Sequence, residues 1–257
     1  MQRPEFRKTE DIFNRVMIKD NIAVLTLLEN IDTKQKLLVA NAHLHWDPSY
    51  RDVKLLQTAM LLDEIERFLP KNSRIPVLVC GDFNSKPDSG VYHFIQNGSV
   101  PADHEDMTPP PGSPTSAQHS SLAAIYPNGL QHRLHLNSAY GIVNELDFTN
   151  WTPTFRDVID YVWYDTKHLK VVGLLGNVDK DYCAKHVGFP NWHHPSDHIP
   201  LLVQLRIIDD PSTRKKINQG LMLDREKMNG VQGVMSGIPA LGVGGGGGGL
   251  ANNRFRS

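Results

Sequence analysis

The chain has 257 residues, 40% of them hydrophobic, and a formal net charge of −1. That is enough apolar material for a packed core in one large domain or two small ones, and it excludes a globally cationic nucleic-acid binder. The balance conceals an asymmetry: residues 211–257 hold seven Lys/Arg against Asp224 and Glu226, a net of +5, which leaves −6 on the rest. An acidic body that meets a polyanion needs metal cations or local basic groups. Cys80 and Cys183 make no disulfide framework and fit a reducing compartment. The polar start, Met1 to Lys8, has no signal-type apolar stretch, and no run approaches the roughly 18 apolar residues of a membrane span. A soluble intracellular protein without membrane contact is expected.

Asn21 to Leu28 reads as a strand, and so does Lys36 to His43, with the polar turn Asn30-Ile31-Asp32-Thr33 between them. From Pro48 to Leu69 the apolar positions Leu55, Ala59, Leu62, Ile65 and Leu69 recur every three or four residues, which predicts an amphipathic helix. Asp47 is the expected N-cap, with Pro48 at the first position. An apolar strand, Ile75 to Cys80, follows. Strand, helix, strand in that order argues for an α/β fold. A short helix is predicted over Ser89 to Gln96. Met107 to Ser120 is rich in Pro, Ser and Thr and has no period, so a mobile surface loop is expected there. Arg156 to Tyr164, Leu169 to Leu175 and Ile199 to Ile207 read as further strands. Eleven of the twenty glycines lie beyond residue 219, six of them consecutive. A segment of that composition buries too little apolar surface to offset its chain entropy. Residues 209–257 are therefore read as a disordered, Gly-rich basic tail.

Four clusters carry chemistry. In Gly81-Asp82-Phe83-Asn84-Ser85 a buried strand ends in glycine and delivers a carboxylate and an amide two residues apart. Alternation along an extended chain lets Asp82 and Asn84 point into one site, suited to a hydrated divalent metal and a phosphate oxygen. The competing reading is an ordinary strand end with an Asx turn. In Asn41-Ala42-His43-Leu44-His45-Trp46-Asp47-Pro48, His43 and His45 share a face by the same alternation. Asp160 is an acid within an apolar strand, and burying a carboxylate costs several kcal/mol unless it is paired, so a partner is expected. Pro195-Ser196-Asp197-His198 places an acid beside an imidazole, a standard means of fixing a tautomer.

The order of these clusters is more specific than any one of them. His43-Leu44-His45-Trp46-Asp47-Pro48, Gly81 through Tyr92, Phe148-Thr149-Asn150-Trp151-Thr152-Pro153-Thr154-Phe155, Val158-Ile159-Asp160-Tyr161 and Pro195-Ser196-Asp197-His198-Ile199-Pro200 are similar to the exonuclease–endonuclease–phosphatase superfamily. Within it the chain resembles the carbon-catabolite-repressor-type deadenylases, the nuclease subunits of a deadenylase complex. Asn14 to Met17 and Lys19 to Ala23 resemble the fungal members. The likeness covers roughly 1–208, as the C-terminal part of a nuclease domain.

The resemblance implies a DNase I-like, two-sheet α/β sandwich, incomplete at its N-terminus. It implies a Mg²⁺-dependent 3′-5′ exoribonuclease that removes poly(A) tails from mRNA in the cytoplasm and nucleus, with poly(A) mRNA as substrate and deadenylase-complex subunits as partners. On that basis Asp82 handles the proton of the attacking water and binds one Mg²⁺, and Asp197 supports the metal. His198, oriented by Asp160, contacts the scissile phosphate, as do Asn84 and His43. Pro48, Asn150 and Phe155 form the adenine pocket. Two metals stabilise the attacking and leaving oxygens of an in-line displacement.

In that family a glutamate on an early strand is the principal ligand of the other Mg²⁺, completed by an Asn on the first strand and a further Glu. The resemblance places all three upstream of Met1. Glu5, Glu10 and Asp11 do not match that motif, and no leucine-rich repeat period appears. The expectation is a domain with an exposed sheet edge, marginal alone. Two other readings stay open: a catalytically inactive truncated fragment that binds RNA or a partner, and another phosphodiesterase of the superfamily.

Overall fold

The computed structural model describes residues 15–70, 73–109 and 121–208. These lie in the first of two compact units, Met1–Thr213. The predicted tail from 209 and most of the predicted loop, 110–120, fall outside the described residues. Met107 belongs to no loose loop: it ends a 3-10 turn, Glu105–Met107, and is fully buried.

Strand β1 (Ala23–Glu29) pairs antiparallel with β2 (Lys36–His43). From β2 the chain passes through helix α1 (Arg51–Phe68) to β3 (Val77–Asp82), which runs parallel to β2. Parallel neighbours need such a crossover. Then come α2 (Gly90–Asn97), β4 (Ser99–Val100), α3 (Leu122–Ile125), β5 (Leu130–Gln131), β6 (Leu136–Ser138), β7 (Asn150–Trp151), β8 (Arg156–Asp157), β9 (Asp160–Asp165), β10 (Leu169–Leu174), α4 (Lys180–Cys183) and β11 (Val203–Ile207). The main sheet has five strands in the order β1-β2-β3-β9-β6.

Alternation sorts the side chains of this sheet onto two cores. Leu38, Ala40, Val77, Val79, Tyr161 and Trp163 face one side, where they pack with Val53, Leu55, Leu62 and Ile65 of α1 and with Phe94 of α2. Leu37, Leu78, Val162 and Tyr164 face the other, with Leu169, Val171, Val203 and Leu205 of the β10–β11 pair. A second, smaller sheet thus covers the back of the first, as a two-sheet sandwich requires. At the outer edge, Val24, Leu27 and Leu28 of β1 are exposed apolar residues. No helix among the described residues is long and apolar enough to cross a membrane.

Several predicted boundaries move. Helix α1 starts at Arg51, not Pro48, and Asp47 is not its cap. Asp47 Oδ1 instead accepts from the Ser49 N–H (2.8 Å), while the Tyr50 N–H donates to the Asp47 carbonyl (3.1 Å), so a separate turn precedes the helix. The strand expected over 156–164 is two strands, broken at Val158 and Ile159, whose N–H groups bond to Asp157 Oδ1 and Thr149 Oγ1 rather than to a ladder. The last strand begins at Val203 rather than Ile199. The short helix fits its prediction closely, with the Ser89 side chain accepting from the Tyr92 N–H.

Candidate active site

Register assembles the site. His43 lies opposite Asp82 across β2 and β3, and Asp82 lies opposite Asp160 across β3 and β9. One row across three strands therefore ends in an imidazole and two carboxylates. Asp160 opens β9 rather than sitting mid-strand. His198 joins the row by a bridge from the β7 residue Asn150. Its Nδ1 lies 2.8 Å from Asp160 Oδ2, and its Nε2 lies 3.9 Å from Asp82 Oδ2. Asp160 thus has the partner its burial demanded.

The turn after β3 is held from every side. Asp82 Oδ1 accepts from the Asn84 N–H (2.8 Å), and Asn84 adopts a left-handed φ of 46°. The Asx turn and the shared site are therefore one arrangement, not rival readings. Asn84 Nδ2 donates to the Leu44 carbonyl (3.0 Å), Lys54 Nζ donates to the Asn84 carbonyl (2.7 Å), and the Tyr161 hydroxyl donates to the Ser85 carbonyl (2.7 Å). His43 and His45 do not share a face. His43 Nε2 reaches to 3.5 Å from Asp82 Oδ2 from an exposed position. His45 lies past the end of β2, buried edge-on against Tyr50 at 4.9 Å.

A cavity of about 630 Å³ opens over this row. His43, Pro48, Asp82, Asn84, Asn150, Phe155, Asp197 and His198 all line it. Asp160 is not among the lining residues and touches the site through His198. Asp197 Oδ2 accepts from Asn150 Nδ2 (3.1 Å). The wall also contains Trp46, Arg51, Lys54 and Lys86, which sequence reasoning did not single out. The available signal was on α1: Arg51 stands four residues before Leu55, so a cation continues the apolar stripe.

Burial, then the Asp160 carboxylate, pushes the Asp82 carboxyl up, against opposing pulls from the Asn84 N–H, His198 and His43. The hydrogen bond that His198 donates to Asp160 raises its pKa despite its burial, with Asp82 and Asp197 adding to the rise. Burial lowers Lys54. Two facing carboxylates with imidazoles set against them form a charge arrangement that a divalent cation relieves. Asp82, Asp160 and His198 each offer a ligand atom, all within 4.8 Å of one another. Mostly hard oxygen donors, with room for water, suit such an ion. Asp160→Asn is expected to bring the His198 pKa down, because the largest raising influence goes and burial stays. NMR titration of the metal-free protein reads this directly, and an unmoved pKa contradicts the assigned pairing.

A carboxylate–imidazole cluster at one end of a sandwich sheet, under a cavity lined by Arg51, Lys54 and Lys86 among five carboxylates, suits chemistry on a phosphate ester with a bound cation. The chain belongs to the Endonuclease/Exonuclease/phosphatase family, which residues 14–198 match. Members of this family depend in general on divalent metal ions, and the acidic cluster is consistent with that. The chain is 47% identical over 233 residues to the CCR4-Not complex 3′-5′-exoribonuclease subunit Ccr4 of Mycosarcoma maydis, covering 80% of this chain and 33% of that protein. It is 43% identical over 229 residues to the Ccr4 subunit of Schizosaccharomyces pombe, covering 80% and 32%. It thus spans about a third of the length of the curated relatives it matches. Among solved structures it is similar to ANGEL2, a 2′,3′-cyclic phosphatase, in complex with adenosine-2′,3′-vanadate. That likeness has a TM-score of 0.61 and 27% identity, over 79% of this chain and 64% of that one.

Proposed function

We propose that this chain carries a Mg²⁺-dependent 3′-5′ exoribonuclease site that shortens poly(A) on mRNA, as part of a CCR4-Not type complex in the cytoplasm and nucleus. The observation that carries the reading is the convergence of Pro48, Asn150 and Phe155 on the same cavity as Asp82 and His198, in a chain this similar to Ccr4 exoribonucleases.

Phe155 and Pro48 sandwich a terminal adenine, a contact worth ~1–3 kcal/mol per base, and Asn150 reads its edge. Asn84 Nδ2 spends one hydrogen on the Leu44 carbonyl and keeps the other for a phosphate oxygen. His198, its Nδ1 occupied by Asp160, turns Nε2 to the phosphate. His43 approaches from the opposite side of Asp82. Asp82 accepts the proton of the attacking water, a task its raised pKa favours over that of an ordinary surface carboxylate. Asp82 would hold Mg²⁺ with support from Asp197, and the ion would supply charge neutralisation at the phosphoryl oxygens.

The test is shortening of a 3′ oligo(A) RNA beside an equal oligo(U) RNA, with Mg²⁺ or with chelator. It uses this chain alone and the chain extended by the upstream segment the resemblance calls for. Mg²⁺-dependent release of AMP from oligo(A) is expected. Inactivity of both proteins overturns the reading. The likeness to ANGEL2 favours a second reading, phosphatase action on an adenosine 2′,3′-cyclic end. Opening of the cyclic end without chain shortening would select it.

A further inference from the structure

Between Asp181 and Asp197 the chain has no carboxylate and carries Tyr182, Lys185, His186, Trp192, His193 and His194. Trp192 is 97% exposed. A tryptophan ordinarily has 150–250 Å² to hide, so its place in open water asks for a reason. The loop beneath it is fixed. The Asn191 N–H donates to the His194 carbonyl (2.8 Å) and the His194 N–H returns to the Asn191 carbonyl (3.2 Å). Asn191 Oδ1 accepts from the Tyr182 hydroxyl and from the His193 N–H, both at 3.0 Å. Behind the loop, Tyr182 stacks on His186 at 4.2 Å and 22°, with His193 5.9 Å from His186. The indole projects from a braced turn, so the backbone beneath it has little conformational freedom left to lose when something stacks on it.

The braced turn abuts the candidate active site. Gly188 closes against the backbone of Thr152 and Pro153 so tightly that an added Cβ would come within 2.9 Å of the Thr152 carbonyl carbon. Those residues form the turn between Asn150 and Phe155. The Phe189 N–H donates to the Trp151 carbonyl (2.7 Å), and His194 Nε2 lies 3.1 Å from the His198 carbonyl.

We propose that Trp192 is a stacking platform for the single-stranded RNA that leads into the cavity, two or more nucleotides 5′ of the residue held by Phe155. The inference rests on the exoribonuclease reading and adds a substrate subsite to it. Every base has a π-face, so the platform tolerates any sequence. Lys185 and the absence of carboxylates on residues 182–196 leave the phosphates unopposed there.

The experiment measures fluorescence-anisotropy binding of a 15-residue and a 2-residue oligo(A) to the chain in an Asp82→Asn background, which prevents cleavage. Trp192→Ala is expected to weaken the long oligomer by about 5- to 100-fold and to leave the short one unchanged. Trp192→Phe restores most of the binding. Equal loss on both oligomers overturns the proposal. So does undiminished binding of the long one, which would assign the indole to a protein contact and leave the exoribonuclease reading standing. Failure of the Asp82→Asn chain and its extended form to bind either oligomer overturns both together.

Discussion

On the proposed exoribonuclease reading, Asp82→Asn should leave a protein that hydrolyses RNA on the order of 10³-fold more slowly or worse, yet that melts at a higher temperature than the parent when metal is chelated. The rate falls because an amide neither accepts the water's proton nor binds a cation as a carboxylate does. The stability rises because the ionised carboxyl is penalised in the fold, first by burial and then by Asp160 opposite. The sign follows from linkage. A carboxyl raised in the folded state keeps its proton to higher pH than in the unfolded chain, so its ionisation costs stability as pH climbs above the unfolded value near 3.8. Asparagine removes that cost and still accepts the Asn84 N–H. A gain in stability, read as a higher Tm, is expected at neutral pH. The gain should vanish below pH 4. A variant less stable than the parent at pH 7 would mean that the imidazoles His43 and His198 outweigh burial and repulsion. Calorimetry at two pH values, beside the RNA assay, decides it.

Gly81→Ala should cost about 3 kcal/mol or more and abolish the site without touching a functional side chain. Gly81 has φ +133°, and a Cβ there collides with the Ala42 carbonyl on β2. Both strands lie inside the main sheet, so neither yields cheaply. The shift would pull Asp82 out of register with His43 and Asp160. Gly176→Ala is the control: nothing lies within 4 Å of its Cβ position, and a change within about 0.5 kcal/mol is expected. Denaturant midpoints of the two variants measure the contrast, and a Gly81→Ala protein as stable as the control would refute the steric account.

Side-chain pattern alone placed several elements closely. The strand Lys36–His43 ends where the apolar alternation ends, and the Ser89 cap starts its helix in the expected place. The order of the motifs was enough to indicate the family and to nominate His43, Pro48, Asp82, Asn84, Asn150, Phe155, Asp197 and His198, which line one cavity, but not Arg51, Lys54 and Lys86 in the same wall. Where the expectations slipped, backbone pairing was the cause. Strand β3 runs two residues beyond the apolar run, through Gly81 and Asp82, because ladder hydrogen bonds to Tyr161 and Asp160 are indifferent to side-chain polarity. His45 was expected beside His43, but the strand stops at His43 and the next turn buries the second imidazole.

Local order is a property of neighbours along the chain, and periodicity, turn residues and caps record it. Contact between distant residues leaves no such record. That His43, Asp82 and Asp160 form one row depends on the register of three strands. That Lys54 reaches the Asn84 carbonyl depends on how α1 crosses the sheet. That the loop leading to Trp192 meets the turn between Asn150 and Phe155 depends on a close backbone approach at Gly188. Each of these is decided by packing across tens of residues, and folding alone brings it about.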